Sequence, residues 1–233
     1  MSPADRSARE TALPGDRFAT DARRRLAAST RALLDAVLTC DAADDELLAA
    51  AARADEITRA LRTASPTRPA ATESSEATPR ERGPDDYLPR SPFVGVGSPL
   101  APPFEYEAGG GHFVARGAFG AAHQGPPGYV HGGWVALAFD EALGMANAIG
   151  GLPCLTGRLT IRYRRPTPLH TPLVLEAHTQ RVEGRRITTV GTLHDGDTLT
   201  AEAEGLFVML GFERALEYFG ERHTTPEPTD PLP

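Results

Sequence analysis

Four residues in one short segment have the types and spacing of a catalytic site. His131 is followed by Gly132 and Gly133, and Asp140 comes nine residues after the histidine, within the run HGGWVALAFDEALGMANAIG. The run has the apolar character of a buried helix. Backbone N–H groups at a helix start lack partners and carry the positive end of the dipole, so two glycines there let a ligand oxygen approach. The turn is predicted to polarise a carbonyl or bind an anion.

Asp140 is a carboxylate inside an otherwise apolar stretch, WVALAF-D. A carboxylate on a mostly buried helix costs free energy unless it is paired or used. The functional hypothesis is a group that activates water, and the structural alternative is a salt bridge with an arginine across a dimer interface. Glu141 lies about 100° further round the helix. We therefore expect it either to be solvated or to hold a neighbouring site residue in position.

Helix geometry constrains how these groups can work together. Nine residues at about 100° each place Asp140 opposite His131 and about 13 Å further along the axis. One chain can hardly aim both at the same bond. If both act on one substrate, the helices of two chains must run antiparallel, and the site lies at a two-fold interface.

Two helices are predicted near the start of the chain. The first covers residues 20–39, with Thr20 or Asp21 as its N-cap. The second covers residues 44–62 and begins with acids, as the helix dipole favours. We expect the two to form a helical hairpin. The apolar face of the first helix is made of Leu26, Leu33, Leu34, Val37 and Leu38.

The second half of the chain has the pattern of an antiparallel sheet with one long helix. A strand is predicted from His112 to Phe119, and a Gly/Pro loop then leads into the helix that begins at His131. Four segments with period-two alternation follow, and glycines mark the last two turns. The order predicts an α+β fold in which the sheet wraps around the helix. The four segments are TGRLTIRYRR, PLVLEAHTQRV, RRITTVGTLH and TLTAEAEGLFVML.

The distribution of apolar and polar residues divides the chain into four parts. Residues 1–63 are predicted to be the hairpin with a disordered start, and 99–212 to be the folded domain. Residues 64–98 are interpreted as a Pro/Ser/Thr-rich linker, because so little apolar surface cannot offset the entropy of ordering. Residues 213–233 form a tail.

Composition narrows the classes of function. All 24 cations are arginine against 31 acids, and the net charge of -7 argues against bulk attraction to nucleic acid or an anionic membrane. Cys40 and Cys154 fall in unlike contexts, so neither a disulfide scaffold nor a metal site is expected. Without a long apolar run or an apolar secretory segment, we predict a cytoplasmic location.

Several stretches together resemble a known family. They are GPPGYVHGGWVALAFDEALGMANAIG, LTGRLTIRYRRPTPL, RVEGRR and AEAEGLFVML, and they cover roughly residues 100–211, about half of the chain. In this layout the chain resembles the hotdog-fold acyl-CoA thioesterases of the phenylacetate-pathway (PaaI-like) type. The resemblance implies hydrolysis of acyl-CoA to a free acid and coenzyme A. It also implies a homodimer or a dimer of dimers, and no metal or redox cofactor.

The resemblance also implies roles for single residues. The Gly133 N–H would polarise the thioester carbonyl, with Gly132 allowing its approach and His131 shaping the loop. Asp140 of the partner chain would act as general base on water, or as nucleophile. Thr156 stands where the family places a Ser or Thr that holds the attacking water, and the alternative is an ordinary strand threonine.

Substrate-binding residues are expected around this centre. Many members carry Asn six residues before the histidine, where this chain has Gly125, so Gln124 or His123 would substitute. Arginine forks match the phosphates of coenzyme A, although an arginine stripe is also typical of a solvated strand face. With Gln124 and Glu141, the candidates are Arg158, Arg162, Arg164 and Arg165, beside Arg185 and Arg186 at a neighbouring turn.

Two other functions fit the same residues. One is the release of an acyl chain from an acyl-carrier protein, with the hairpin as the docking element. The other is a non-catalytic acyl-CoA-binding or scaffold protein, which the glycine at position 125 keeps open.

Overall fold

The computed structural model describes residues 20–64 and 88–209. The predicted disordered start, most of the predicted linker and the tail lie outside these ranges. The elements are α1 (Asp21–Thr39), α2 (Asp44–Ala64), β1 (Glu105–Gly109), β2 (His112–Gly117), a 3-10 turn (Ala121–His123), α3 (Gly132–Ile149), β3 (Cys154–Tyr163), β4 (Leu173–Glu183), β5 (Arg186–Asp195) and β6 (Thr198–Met209).

The six strands form one sheet in the order β1-β2-β4-β5-β6-β3, and every neighbouring pair is antiparallel. Helix α3 packs across one face of this sheet. The predicted α+β architecture is confirmed, including the helix and the four strands after it. Strand β1 was not predicted, because its sequence EYEAG holds a single large apolar residue and its side chains are mostly exposed.

Helix α3 packs closely on the sheet because a glycine lies under the largest fully buried side chain of the helix. The Phe139 ring is fully buried, and a Cβ at Gly191 would lie 3.4 Å from it and 2.8 Å from the Glu176 carbonyl oxygen. Alanines at three other buried positions of α3 also keep the helix close to the strands. These are Ala138, Ala142 and Ala146.

A buried polar group fixes the C-terminal half of α3. Asn147 is fully buried, and its Oδ1 accepts hydrogen bonds from the hydroxyls of Thr179 (2.8 Å) and Thr189 (2.7 Å). Cys154 lies close to the same amide, and burial raises the pKa of its thiol to about 11. Because hydrogen bonds are directional, the two bonds to Asn147 Oδ1 set the position of α3 along β4 and β5.

The folded core begins earlier in the chain than predicted. Phe93 and Val94 are fully buried, and the Phe93 ring lies 5.3 Å from that of Phe104 and 6.3 Å from that of Phe119. The predicted boundary at residue 99 therefore falls inside the folded region. This segment has no helix or strand of its own, so no periodicity marks it as part of the core.

The two N-terminal helices do form, but the prediction that they pack as a hairpin is wrong. The Thr20 hydroxyl accepts from the Arg23 N–H at 3.3 Å, so Thr20 is the N-cap of α1. Helix α1 packs against the 3-10 turn and buries Ala27, whereas α2 buries none of its residues and does not pack along α1. Of the predicted apolar face of α1, four members are exposed: Leu26, Leu33, Val37 and Leu38.

His123 is a buried histidine whose two ring nitrogens both have backbone partners. Its Nδ1 accepts from the Gly120 N–H at 3.2 Å, and its Nε2 lies 3.1 Å from the Leu100 carbonyl oxygen. The Trp134 ring packs edge-on at 4.7 Å. A neutral ring protonated on Nε2 satisfies both bonds. Burial lowers the pKa of His123, and the backbone hydrogen bonds oppose that shift only in part.

This environment predicts a pH-dependent stability. Because the pKa of His123 is lower in the folded state than in the unfolded chain, the unfolded chain binds the proton first as the pH falls. The contribution of His123 to the free energy of unfolding is therefore full above about pH 6.5 and is lost as the pH falls below it. Between about pH 7.5 and about pH 5.5, urea unfolding should show a larger loss for wild type than for His123→Gln.

The exposed His178 supplies the matched control. His178→Gln should lose as much free energy of unfolding as wild type over the same pH interval. Equal losses in wild type and His123→Gln would contradict the prediction.

Candidate active site

Among the described residues, the start of α3 presents one backbone N–H without an acceptor. His131 is the N-cap, with an extended backbone (φ -62, ψ 134), and its Nδ1 accepts from the Gly133 N–H at 3.0 Å. The N–H groups of Trp134 and Val135 donate to the His131 carbonyl. Within the part of the chain that the structure describes, the Gly132 N–H has no acceptor.

This pattern changes which glycine is available to a substrate. The family resemblance implies a polarising role for the Gly133 N–H, but in the structure this N–H donates to His131 Nδ1. Gly133 instead makes room for the ring, because a Cβ there would lie 3.1 Å from Nδ1. Gly132, the first residue of the helix, carries the N–H that remains for a ligand oxygen.

Asp140 and Thr156 form a hydrogen-bonded pair. The Thr156 hydroxyl donates to Asp140 Oδ1 at 2.7 Å. Asp140 is half-buried on α3, and Thr156 is exposed on β3. The bond orients the carboxylate and leaves Oδ2 as the oxygen that can accept a proton from water.

A β-bulge at Gly157 aims Thr156 at Asp140. Leu159 and Ile161 pack against the core, so strict alternation would turn Thr156 to the outer face of the sheet. The register instead shifts between Thr156 and Arg158, and Thr156 pairs with Phe207, whose ring is in the core. The extra residue returns Thr156 to the α3 side. The strand pattern did not predict this bulge, although a glycine inside a strand is its usual signal.

The candidate groups lie along the free edge of the sheet. Among the strands of the described residues, β3 is an edge strand that pairs only with β6. Its far end meets the start of α3, where the Tyr163 hydroxyl donates to the Gly132 carbonyl at 2.9 Å. Gly132 and Asp140 are eight residues apart, about 12 Å along the helix axis. A single chain therefore keeps the N–H and the carboxylate too far apart to act on one carbonyl.

Glu141 is anchored inside the protein, so of its two predicted environments the solvated one does not apply. The Ser91 hydroxyl donates to Glu141 Oε2, and the same Ser91 oxygen accepts from the N–H groups of Phe93 and Val94 at 3.1 Å each. Burial raises the pKa of Glu141, while the bond from Ser91 opposes the rise. Glu141 thus holds the segment before β1 against α3.

The loop before His131 has no room for a side chain at position 125. The Gly125 N–H donates to the Tyr129 carbonyl at 2.9 Å, and a Cβ on Gly125 would lie 2.7 Å from the His131 Cα. His123 does not replace the missing asparagine, because its ring is buried and bonded elsewhere. Gln124 is exposed beside this loop, and its substrate contact stays a prediction.

The predicted arginine cluster is divided by the sheet. Arg158 and Arg162 project from the outer face, opposite Leu159 and Ile161. At the end of β3, Arg164 lies 2.5 Å and Arg162 3.5 Å from the same Glu202 oxygen. The hydrogen bond from Arg164 is the main cause of the lowered pKa of Glu202.

The other arginines lie at opposite ends of β3. Arg185 donates to the Met209 carbonyl, beside the start of β3, and Arg186 follows it at the same turn. Arg165 is exposed beyond the other end of β3, next to the start of α3. The six arginines therefore do not form one phosphate site.

A cavity of about 330 Å³ on the outer face is separate from the Asp140 centre. Its lining includes the carboxylates of Glu176, Glu202 and Glu204, which oppose a phosphate. Arg162 also lines it but is paired with Glu202. This cavity is not suited to the anionic end of coenzyme A.

Helix α1 holds the loop that leads to the candidate site. Asp35 Oδ1 accepts from the Ala121 N–H at 3.1 Å, and a Cβ at Gly120 would lie only 3.2 Å from that oxygen. The next link is the His131 N–H, which donates to the His123 carbonyl at 2.9 Å. The start of α3 is thus connected to α1 through a single turn.

Removal of the Asp35 oxygen should loosen this loop. A lost hydrogen bond of about 1.4 kcal/mol implies about tenfold faster amide exchange over residues 121–131 in Asp35→Ala. Asp35→Asn keeps an oxygen acceptor and should exchange like wild type, as should Asp55→Ala on α2. The measurement is hydrogen–deuterium exchange followed by mass spectrometry. Unchanged exchange in Asp35→Ala would show that the bond does not order the loop.

Two further properties concern only the described residues. No helix among them has the length and apolar character needed to cross a bilayer. Nor do three or more His, Cys, Asp or Glu side chains gather there in an arrangement that could hold a metal ion.

The chain matches a known protein family in both sequence and fold. A family model described as Thioesterase superfamily matches residues 127–202. A crystal structure of a thioesterase superfamily protein is 34% identical, with a TM-score of 0.67, and the match covers 80% of this chain and 90% of that one.

Curated relatives match over a shorter region. Acyl-coenzyme A thioesterase THEM4 of Mus musculus is 37% identical over 95 residues, which is 40% of this chain and 41% of the relative. THEM4 of Xenopus laevis is 36% identical over 92 residues, or 37% of this chain and 40% of the relative. The chain spans about two fifths of the length of these relatives.

Proposed function

Because the chain belongs to the thioesterase superfamily and has its hotdog fold, we propose that it hydrolyses acyl-CoA to a free acid and coenzyme A. The observation that carries this proposal is the bond from Thr156 to Asp140, which orients a carboxylate at the free edge of the sheet. The curated relatives named acyl-coenzyme A thioesterases support the choice of substrate class.

The proposed reaction uses two copies of the chain. Asp140 of one copy removes a proton from water, and the resulting hydroxide attacks the thioester carbonyl carbon. The Gly132 N–H of the other copy donates to the developing oxyanion. The carbon–sulfur bond then breaks, and the thiolate takes the proton from Asp140. No metal or redox cofactor takes part.

The edge strand β3 gives a physical reason for the second copy. An open edge exposes unpaired backbone groups, and proteins generally cover such edges. Leu155 and Tyr163 on this strand are 43% and 55% exposed. An antiparallel partner along β3 would cover them and bring the Asp140 of one chain to the Gly132 of the other. The proposed assembly is therefore a homodimer joined along β3, or a dimer of two such dimers.

The start of α3 is also where coenzyme A would emerge. Arg164 and Arg165 follow Tyr163, which is bonded to Gly132, so both lie at the oxyanion end of the site. Arg165 is the stronger candidate for a phosphate contact, because Arg164 is paired with Glu202. Arg158 and Arg162 project from the other face of the sheet, so we do not propose that they contact the substrate.

The cytoplasmic location of the protein stays a prediction.

Asp140→Asn should lower kcat by about a thousandfold, because the amide cannot accept the proton from water. The assay is thiol release from acyl-CoA substrates of several chain lengths. Asp197→Asn, at the turn between β5 and β6, is the matched control and should keep full activity. Near-normal turnover in Asp140→Asn, with an unchanged circular dichroism spectrum, would refute the mechanism.

The same variant can test whether two chains share one site. Asp140→Asn and Gly132→Pro chains with different tags would be coexpressed and the heterodimer purified through both tags. It contains one site with both working groups, so its activity should be about half that of the wild-type dimer. If each chain held a complete site, the heterodimer would be as inactive as its parents.

The Gly132 N–H can be removed with little change to the helix. Proline is well tolerated at the first helical residue, and the extended backbone of His131 suits a residue before proline. Gly132→Pro should lower kcat about a hundredfold with a smaller change in KM. Gly132→Ala keeps the N–H, and its Cβ meets Tyr163 at an ordinary 3.5 Å, so it should stay close to wild type. Equal kcat values in the two variants would show that the Gly132 N–H does not bind the oxyanion.

A further inference from the structure

Helix α2 has an apolar side that the described chain leaves uncovered. None of its 21 residues is buried. Its large apolar side chains are 42% to 72% exposed, namely Leu47, Leu48, Ile57 and Leu61. Most helical stability in proteins comes from the packing of an apolar face against other elements. We therefore expect another protein element to pack against the apolar side of α2.

The apolar residues of α2 follow a heptad pattern. Leu47, Ala54 and Leu61 recur every seven residues, and Ala50 and Ile57 each come three residues after a member of that series. This spacing places all five on one stripe, as in the seam of a coiled coil. Leucines stand at both ends and alanines near the middle, so another helix can approach closely at the centre. Leu48 lies outside the stripe and is the most exposed of the leucines.

The charges of α2 are complementary to those of a second α2 that runs in the opposite direction. Its first turn holds the acids Asp44, Asp45 and Glu46, and its last turns hold Arg59 and Arg62. An antiparallel pair places each acidic turn beside the basic end of its partner and aligns the helix dipoles favourably. A parallel pair would place three acids beside three acids. The preferred orientation is therefore antiparallel.

We propose that α2 is a self-association surface, which pairs antiparallel with the α2 of a second copy of this chain. The stripe supplies the contact and the charged ends supply the direction. The pairing can be weak and still form, because any other contact between the copies raises the local concentration of one α2 near the other. The surface uses none of the residues assigned to hydrolysis.

Cross-linking between differently tagged chains tests both the contact and its direction. In a Cys40→Ser background, Glu46→Cys and Ala60→Cys lie beside the stripe on the same side of α2, near its two ends and about 21 Å apart. The two variants would be coexpressed and treated with a short bismaleimide. We expect cross-links between Glu46→Cys and Ala60→Cys chains, and few between two Glu46→Cys chains. The background without added cysteines reports any reaction of Cys154.

Variants of the stripe separate a specific pairing from chance collisions. Leu47→Gln combined with Leu61→Gln should abolish most of the mixed cross-link, whereas Leu48→Gln should retain it. Absence of the mixed cross-link, or cross-links mainly between two Glu46→Cys chains, would overturn the proposal. The readout requires no enzymatic activity. A protein without thioesterase activity would therefore refute the proposed reaction and leave this test valid.

Discussion

The rigidity of α3 is the constraint on which the candidate site depends. A helix cannot shorten, so its first N–H at Gly132 and its carboxylate at Asp140 stay about 12 Å apart in every copy of the chain. Packing also holds α3 in one position on the sheet, because Phe139 lies over Gly191 and Asn147 accepts hydrogen bonds from two threonine hydroxyls. A reaction that needs both groups at one carbonyl must therefore take them from two helices.

The polar groups around α3 divide into those that face the site and those that hold it. Thr156 orients Asp140 directly. Glu141, one residue later, faces inward and fixes the turn at Ser91, so adjacent carboxylates on one helix have different tasks. The difference follows from the 100° step between neighbouring residues, which turns one toward the sheet edge and the other toward the protein. The raised pKa of Glu141 is a result of this burial.

The sequence predicts those parts of the fold that periodicity controls. Helix α3 and the strands after it are recognisable because their apolar spacing is strong, and the His-Gly-Gly turn follows from helix-end chemistry. Phe93 was missed because a single buried aromatic in an irregular segment has no period. The same holds for Gly157, since register is set by pairing with β6 and not by the strand alone.

Helix α1 shows why an apolar face does not identify the packed face. Its side toward the protein carries Asp35, which bonds to the backbone of Ala121, and Arg31, which bonds to the Ser98 carbonyl at 3.3 Å. These two bonds decide how α1 docks, because buried polar groups of a turn must find partners whereas exposed leucines are tolerated singly. The leucines of α1 and α2 are then left outward. On α2, Leu47 and Leu61 belong to a continuous apolar stripe with Ile57 and two alanines. Such a stripe, unlike scattered leucines, has the pattern of a surface that another helix covers.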